Sequence, residues 1–286
     1  ADPAMFAGTL LACDMGGGAL ARQLTDDPQA AALGGVITGS MLGATVVFTI
    51  PVAMGILREE DRPVMAKGIL CGIVTIPLGV LAGGLTAGFP LPMVLRNLVP
   101  IVLIALLIAL GLWRAENAMV RGFEVFGKLV VAVATVGLAA AIGEALTGYP
   151  IIRGMEPISE GFETVGIIAI VLAGAFPLVF VLTKLLRKPL LAAGGLLGIN
   201  DAAAAGLLAS LANSIAAFGM VKDMNERGKV VNIAFAVSGA FVFGDHLGFT
   251  AGFAPEMMGA MIVGKLVGGL TAIAAAWILT RKSEKA

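Results

Sequence analysis

Charged side chains are scarce in this sequence. Lysine, arginine, aspartate and glutamate make up 13% of its 286 residues, whereas ordinary soluble domains carry about 25%. Hydrophobic residues make up 58%, and the mean hydropathy is +0.98. So few polar side chains cannot cover a water-soluble globule, and much of the surface is therefore expected to face lipid. The 19 basic and 19 acidic residues balance, so no excess charge points to nucleic acid as a partner.

Cysteine and histidine are also rare, with two cysteines and one histidine. Cys13 and Cys71 both lie in apolar runs, so we interpret them as small buried side chains rather than as a disulfide framework. His246 forms no metal-ligand spacing with them, and the sequence predicts no metal site and no cofactor. The first residues, ADPAMF, show neither the basic stretch nor the cleavage site of a signal peptide.

Long apolar segments fill most of the chain. A helix that spans a membrane needs about 20 mostly apolar residues, and several segments bounded by charges or by proline and glycine turns meet this requirement. The predicted spans are Gln29–Leu57, Val64–Phe89, Met93–Trp113, Gly122–Thr147, Gly161–Leu186, Val230–Phe253 and Glu256–Thr280. The sequence therefore predicts an all-α integral membrane protein with about seven full transmembrane helices.

Two further apolar segments, Ala4–Leu24 and Asp201–Gly219, contain polar or flexible residues at their centres, in CDMGGG and ANS. Lysine and arginine prefer cytoplasmic loops. If Asp201–Gly219 crossed the membrane fully, the segments KDMNERGK and RKSEK would both lie outside, and this preference would be lost. We therefore predict that both segments are re-entrant hairpins, which enter the membrane from opposite sides.

The regions around the two predicted hairpins resemble each other weakly, although any two segments rich in alanine, glycine and leucine look alike to some degree. AGTLLACDMGG and a later GSMLGATVVFTIP resemble AGLLASLANSI and a later VSGAFVFGDHLGF. Two similar units of opposite orientation are typical of an inverted-repeat transporter. We predict one transmembrane transporter domain over residues 1–286, with repeat-like units at about 4–89 and 122–280. Because only the second unit has two spans ahead of its hairpin, we expect two further helices to precede Ala1.

The centres of the two hairpins hold the first candidate binding residues. Asp14 lies at the first centre, followed by Gly16 and Gly17, and Asn213 and Ser214 lie at the second. Non-helical backbone at membrane depth is tolerated where it is buried in protein or lines a polar cavity. Its free N–H and C=O groups, and the partial charges of the helix ends, then become ligands. Asp14 could instead cap the hairpin turn.

Two ionisable residues, Asp245 and His246, lie inside a predicted span. A charge at such a depth costs roughly 2.5–3.5 kcal/mol on insertion scales, so each needs a compensating interaction. Asp245 could bind a cation, or it could pair with His246 or with Lys265 of the last span. His246 could join two helices by a hydrogen bond or respond to pH. We interpret Lys265 as a counter-ion or snorkelling residue rather than as a ligand.

Hydroxyl and aromatic residues complete the candidate set. Thr45 lies in an apolar span, although hydroxyls in membrane helices often bond to the carbonyl four residues earlier. Phe243 lies close in sequence to Asp245, as does Phe241. Carboxylates, aromatic faces and the Asn213 amide together suit a small organic cation that carries a hydroxyl group. A sodium ion or a proton could occupy the same carboxylates.

Six long motifs are distributed along the chain: MFAGTLLACDMGG, FTIPVAMGI, CGIVTIPLGVLAGGL, LANSIAAFGMVKDMNERGKVVNIAFAVS, FGDHLGF and MIVGKLVGG. Together they resemble the ethanolamine permease family of bacterial ethanolamine-utilisation operons, over about Met5 to Leu279. The resemblance implies a multi-pass protein of the bacterial inner membrane, either a monomer or a homo-oligomer. It also implies uptake of ethanolamine, a hydroxylated amine that is mostly protonated at neutral pH, for a cytoplasmic ammonia-lyase pathway.

The predicted function is therefore a permease rather than an enzyme. Asp14 and Asp245 are expected to pair with the substrate ammonium, and Asn213 and Ser214 to bind its hydroxyl. The alternative is an ion-coupled secondary transporter of another small organic amine or of a nucleoside-like solute. An intramembrane enzyme would need a nucleophile–base pair or a metal cluster, and the sequence shows neither at a readable spacing. A purely structural subunit would not need acids at broken helices.

Overall fold

The fold is described from a computed structural model that covers residues 1–11 and 17–283. Within these residues the secondary structure is helical throughout, with short turns and no β-strand. Among the described residues, six helical stretches are long and apolar enough to cross a membrane: Pro28–Ile56, Glu59–Thr86, Leu91–Arg114, Asn117–Thr147, Ile158–Leu186 and Pro255–Arg281. They correspond to six of the seven predicted spans, and the prediction of an all-α chain is confirmed for the described residues.

The first part of the chain runs to residue 86. Its α-helices are α1 (Ala4–Phe6), α2 (Gly17–Leu24), α3 (Pro28–Ala32), α4 (Ile50–Ile56), α5 (Arg62–Ile73) and α6 (Ile76–Thr86). Wider π-helical turns at Ala7–Leu11, Leu33–Gly43 and Thr45–Thr49 extend α1 and connect α3 to α4, and a 3-10 turn at Glu59–Asp61 precedes α5. Pi-helical turns are rare and often lie at functional sites.

The second part contains the longest helices. They are α7 (Leu91–Arg114), α8 (Glu116–Thr147), α9 (Ile158–Leu197), α10 (Asp201–Ala212), α11 (Ser214–Met220), α12 (Glu226–Gly239), α13 (Asp245–Phe253) and α14 (Met258–Ser283). Gly148 and Gly198 follow α8 and α9 with φ of +71° in both cases, the left-handed conformation in which helices commonly end. The predicted span Gly161–Leu186 is only part of α9, which extends to Leu197.

Glycines bring the central helices into close contact. A Cβ atom on Gly79 of α6 would lie 2.7 Å from the Gly264 carbonyl oxygen of α14, and one on Gly264 would lie 2.9 Å from the Gly79 carbonyl oxygen. Similarly, a Cβ atom on Gly72 of α5 would lie 2.4 Å from Val237 of α12. In membranes, small residues at such contacts allow helix backbones to approach closely, which favours packing. These contacts hold helices from both predicted units together.

Helices α8 and α9 differ from this centre because they are largely uncovered. Only 11% and 6% of their most apolar segments are buried, compared with 83% for Pro28–Ile56. Leu146 and Leu196 are 82% and 86% exposed. Uncovered leucine and valine side chains along two long helices suit contact with lipid, where the backbone hydrogen bonds are satisfied within each helix.

The predicted span Val230–Phe253 is not one continuous helix, so this prediction is wrong. Helix α12 ends at Gly239 and α13 begins at Asp245. Between them, Phe241 has a φ of +61°. The backbone N–H groups of Phe241 and Phe243 donate instead to the carbonyl oxygens of Ser210 and Leu211, each at 2.9 Å. Contacts with α10 thus replace the hydrogen bonds that a continuous helix would make.

The two predicted hairpins each close at their base. Next to α10 and α11, the Asn200 side chain donates to the Asp223 carbonyl at 2.8 Å, and the Asn225 side chain donates to the Gly198 carbonyl at 2.9 Å. On either side of α1 and α2, the Thr25 hydroxyl donates to the Asp2 carboxylate at 2.9 Å. The two ends of each segment therefore lie close together. Re-entry into a membrane stays a prediction that this geometry favours.

Candidate substrate-binding site

The second hairpin is broken at a single residue, Asn213. Its backbone is extended, with φ of −158° and ψ of 123°, between α10 and α11. The Asn213 side-chain oxygen accepts a hydrogen bond of 2.8 Å from the N–H of Ile215 and so caps α11. The predicted break in ANS is confirmed. Its side-chain NH₂ group makes no hydrogen bond to the described residues, so it is free to donate to a ligand.

The second hairpin meets the break between α12 and α13. Besides the two backbone hydrogen bonds to Ser210 and Leu211, Gly244 lies so close to Ala212 that a Cβ atom there would overlap the Ala212 carbonyl oxygen. Two interrupted helices therefore cross where their backbones touch. Asn213 directly follows Ala212 at this crossing, and α13 continues from Gly244 through Asp245 and His246.

The residues that open α13 combine a carboxylate with aromatic rings. Asp245 is the first residue of α13 and is half-buried, and the positive end of the helix dipole favours an anionic side chain there. His246 is only 1% exposed. The Phe241 ring centre lies 5.2 Å from the His246 ring and 5.7 Å from the Phe48 ring. A carboxylate and aromatic rings are the two kinds of group that can bind an organic cation.

Thr45 lies between the two predicted units. Its buried hydroxyl is 2.6 Å from the Met41 carbonyl oxygen and 3.0 Å from that of Val237, so its single proton already has acceptors. In the same region, the Lys265 ammonium, 1% exposed, donates to the Ser40 carbonyl at 2.7 Å. Both contacts join the segment around residue 40 to helices of the second unit. Thr45 therefore connects two helical segments in the structure.

The first hairpin contributes less to the described site. Asp14 and Gly16 lie outside the described residues, as does Cys13. Gly17 is buried at the start of α2, where a Cβ atom on Gly35 would lie 3.3 Å from its carbonyl oxygen. Gly17 therefore packs beside the π-helical segment Leu33–Gly43. Within residues 1–11 and 17–283, no group of three or more His, Cys, Asp or Glu side chains could hold a metal ion.

Sequence patterns pointed to Asn213, Ser214, Phe243, Asp245 and His246. In the structure, Asn213 and Ser214 directly follow the α10 residues that contact the break between α12 and α13, and the other three residues lie in or directly after that break. Ser210 is a residue that the patterns missed. Its carbonyl accepts from Phe241, and its hydroxyl is fully buried. A hydroxyl one turn before the polar break was the available signal, although serine is common in membrane helices for other reasons.

The described part of the chain contains six apolar helices of membrane-spanning length, so the chain is a multi-pass membrane protein. A family described as "Ethanolamine utilisation protein, EutH" matches residues 1–279, and the chain belongs to this family. The family that the motifs predicted is thereby confirmed.

Several relatives are similar over the whole chain. A protein of Listeria monocytogenes named "Probable ethanolamine permease EutH" is 60% identical over 285 residues, which cover 100% of this chain and 76% of the relative. Proteins with the same name from Salmonella typhimurium and Escherichia coli are each 48% identical, over 100% and 99% of this chain and 76% of each relative. No solved structure matches this chain.

Proposed function

We propose that this protein is a permease that moves ethanolamine across the bacterial inner membrane and does not act as an enzyme. Membership of the EutH family and relatives named as probable ethanolamine permeases support this function. The observation that carries the proposal is the crossing of two interrupted helices, where Phe241 and Phe243 donate to Ser210 and Leu211. Discontinuous helices that meet in this way form the substrate sites of many secondary transporters.

Each part of the substrate has a suitable partner at this crossing. The Asp245 carboxylate, at the start of α13, is the proposed partner of the ammonium group, and the Phe241 ring adds a cation–π contact. The free NH₂ group of Asn213 and the hydroxyl of Ser214 are the proposed partners of the substrate hydroxyl. Asp14 is proposed as a second carboxylate.

The two closed hairpins suit movement as units. Because each begins and ends at one place, it can tilt without pulling apart the helices that follow. In the proposed mechanism the hairpin-bearing bundle moves and exposes the crossing to one side of the membrane and then to the other. Substrate then moves down its own gradient, which is maintained because the cell consumes it. Residues 4–89 and 122–280 are the proposed repeat units of a single transporter domain.

The proposed role of Asp245 is tested with Asp245→Asn, which keeps the shape and removes the charge. Loss of a charge-assisted contact should weaken ethanolamine binding by about 1.5–3 kcal/mol and leave the melting temperature nearly unchanged. Uptake of radiolabelled ethanolamine into proteoliposomes and thermal melting in detergent measure the two effects. Asp201→Asn is the matched control, because Asp201 also lies in the first turn of a helix but is exposed.

The control variant should transport normally. A stable Asp245→Asn protein with normal ethanolamine affinity would remove Asp245 from the site. If instead the variant melts early, the Asp245 charge supports the fold, and adding Lys265→Met should then restore melting if Lys265 is its partner.

A further inference from the structure

The hydroxyl of Ser210 differs from most hydroxyls buried in the described helices. The usual arrangement is a hydrogen bond to a carbonyl three to five residues earlier in the chain, as for Thr38, Ser40, Thr45 and Thr250. Ser210 is 0% exposed, yet its Oγ atom has no hydrogen-bond partner among the described residues. A buried hydroxyl without a partner is unfavourable and rare, so it calls for a ligand or an ordered water molecule.

Ser210 also lies at the crossing of the two broken helices. Its own carbonyl oxygen accepts from the Phe241 N–H at 2.9 Å, and Asn213 follows three residues later. Ser214, on the other side of the break, is likewise 0% exposed and has no partner for its Oγ atom in the described part of the chain. Two buried hydroxyls with unused hydrogen-bonding capacity therefore flank the extended residue Asn213.

We propose that Ser210 is a specificity-determining residue that, with Ser214, hydrogen-bonds the hydroxyl group of the substrate. This inference rests on the proposed function. A hydroxyl group donates one hydrogen bond and accepts others, so it can satisfy both serines, whereas an alkyl group satisfies neither. A site built in this way rejects an analogue that lacks the hydroxyl, because its own buried polar groups are then left unpaired. The selected class is a small amine with a hydroxyl near the ammonium.

Ser238 provides a matched control within the same region. It is also 0% exposed, and its Oγ atom also lacks a partner among the described residues. However, Ser238 faces α14, where a Cβ atom on Gly268 would lie 3.1 Å from that oxygen. It therefore lies in the packing contact of α12 with α14. Removal of this hydroxyl tests the effect of losing a buried unpaired serine away from the crossing.

The experiment compares ethanolamine with ethylamine, which has the same chain length and charge but no hydroxyl. Binding of radiolabelled ethanolamine to the whole protein in proteoliposomes, with unlabelled ethylamine as competitor, gives both affinities. We expect the natural protein to prefer ethanolamine. Ser210→Ala should reduce that preference about tenfold, chiefly through weaker ethanolamine binding, and should leave ethylamine binding within about twofold. Ser238→Ala should keep the full preference.

The ratio of the two affinities separates recognition from stability, because a structural role changes both affinities together. If Ser210→Ala leaves the ratio unchanged, Ser210 bonds to water, and the inference is wrong. It is equally wrong if Ser238→Ala lowers the ratio as much, or if the natural protein binds the two amines alike. Should Ser210→Ala fold poorly, Ser210→Cys keeps the volume and replaces the hydroxyl with a weak hydrogen-bonding group, and the same ratio decides. Absence of ethanolamine binding by the natural protein would instead overturn the proposed function.

Discussion

The two ends lie close together in both predicted hairpins, Ala4–Leu24 and Asp201–Gly219, but different contacts hold the two segments. In the first, backbone meets backbone: a Cβ atom on Gly8 would overlap the Gly34 carbonyl oxygen. In the second, side chains bridge the helices: the Asn232 NH₂ group donates to the Ala203 carbonyl at 2.9 Å. Asn200 and Asn225 close its base with further side-chain hydrogen bonds.

This difference is consistent with the weak sequence resemblance between the two predicted units. A hairpin held by backbone contact needs glycine at the contact and permits little else. A hairpin held by side-chain amides needs asparagine at a few positions and tolerates small apolar residues between them. The two sets of contacts should therefore respond differently to substitution.

The largest expected effect is on the first hairpin, from Gly8→Ala. The added methyl group would overlap the Gly34 backbone, which cannot turn aside as a flexible side chain can. We expect a loss of at least about 3 kcal/mol in stability and little folded protein. Gly219→Ala in the second hairpin is the control: a Cβ atom there meets nothing within 4 Å, and alanine favours the helix. Thermal melting and expression level measure both; similar melting of the two variants would contradict the backbone-contact interpretation.

A smaller effect is expected beside the base of the second hairpin, from Lys229→Met. The Lys229 ammonium bonds to Asp61 at 2.7 Å and to Glu226 at 2.8 Å, and the Asp61 and Glu226 side chains are 3% and 76% exposed. In Lys229→Met the buried Asp61 carboxylate loses its ammonium partner. We expect this to lower the free energy of unfolding by about 3 kcal/mol if water cannot reach the carboxylate.

Asp61→Asn should lower the stability less than Lys229→Met does, because the Lys229 ammonium can still pair with Glu226. The double variant Lys229→Met with Asp61→Asn should recover much of the loss. Unfolding of the detergent-solubilised protein gives the three values. Equal losses for the two single variants, with no recovery in the double variant, would show that the ion pair is not the source of the effect.

The smallest effects compare the two hairpin bases directly. Thr25→Val removes the hydrogen bond to Asp2 and one accepted from the Asp27 N–H, which is exposed and can bond to water instead, so it should cost about 1 kcal/mol. Asn225→Ala removes the bond to the Gly198 carbonyl and the cap on the N–H of Gly228, so it should cost about 2 kcal/mol. Melting temperatures rank the two variants. A larger loss of stability for Thr25→Val would show that the hydrogen bonds between the two ends of the first predicted hairpin are the stronger ones.

Much of the candidate site was predictable because its residues are of types that are unusual in apolar membrane helices. Asp245 and His246 are ionisable in an apolar run, and Asn213 interrupts another, so each is visible without a structure. Thr45 follows the same kind of reasoning but has a structural contact, since its proton lies between the Met41 and Val237 carbonyl oxygens. Ser210 was not predictable, because its distinguishing features are a buried hydroxyl without a partner among the described residues and a position at the crossing, and both depend on the tertiary structure.

The sequence by itself determined that this chain is a helical membrane protein, because hydrophobicity and segment length act locally and add up along the chain. It also determined the break at Asn213, where a polar residue interrupts an apolar helix. The tertiary structure alone decided the break at residues 240–244. Those residues are mostly apolar and would suit a continuous helix, but the carbonyl groups of Ser210 and Leu211, about 30 residues earlier in the chain, accept their N–H groups. The position of this break depends on which distant segment of backbone packs against residues 240–244. The local sequence does not specify that packing.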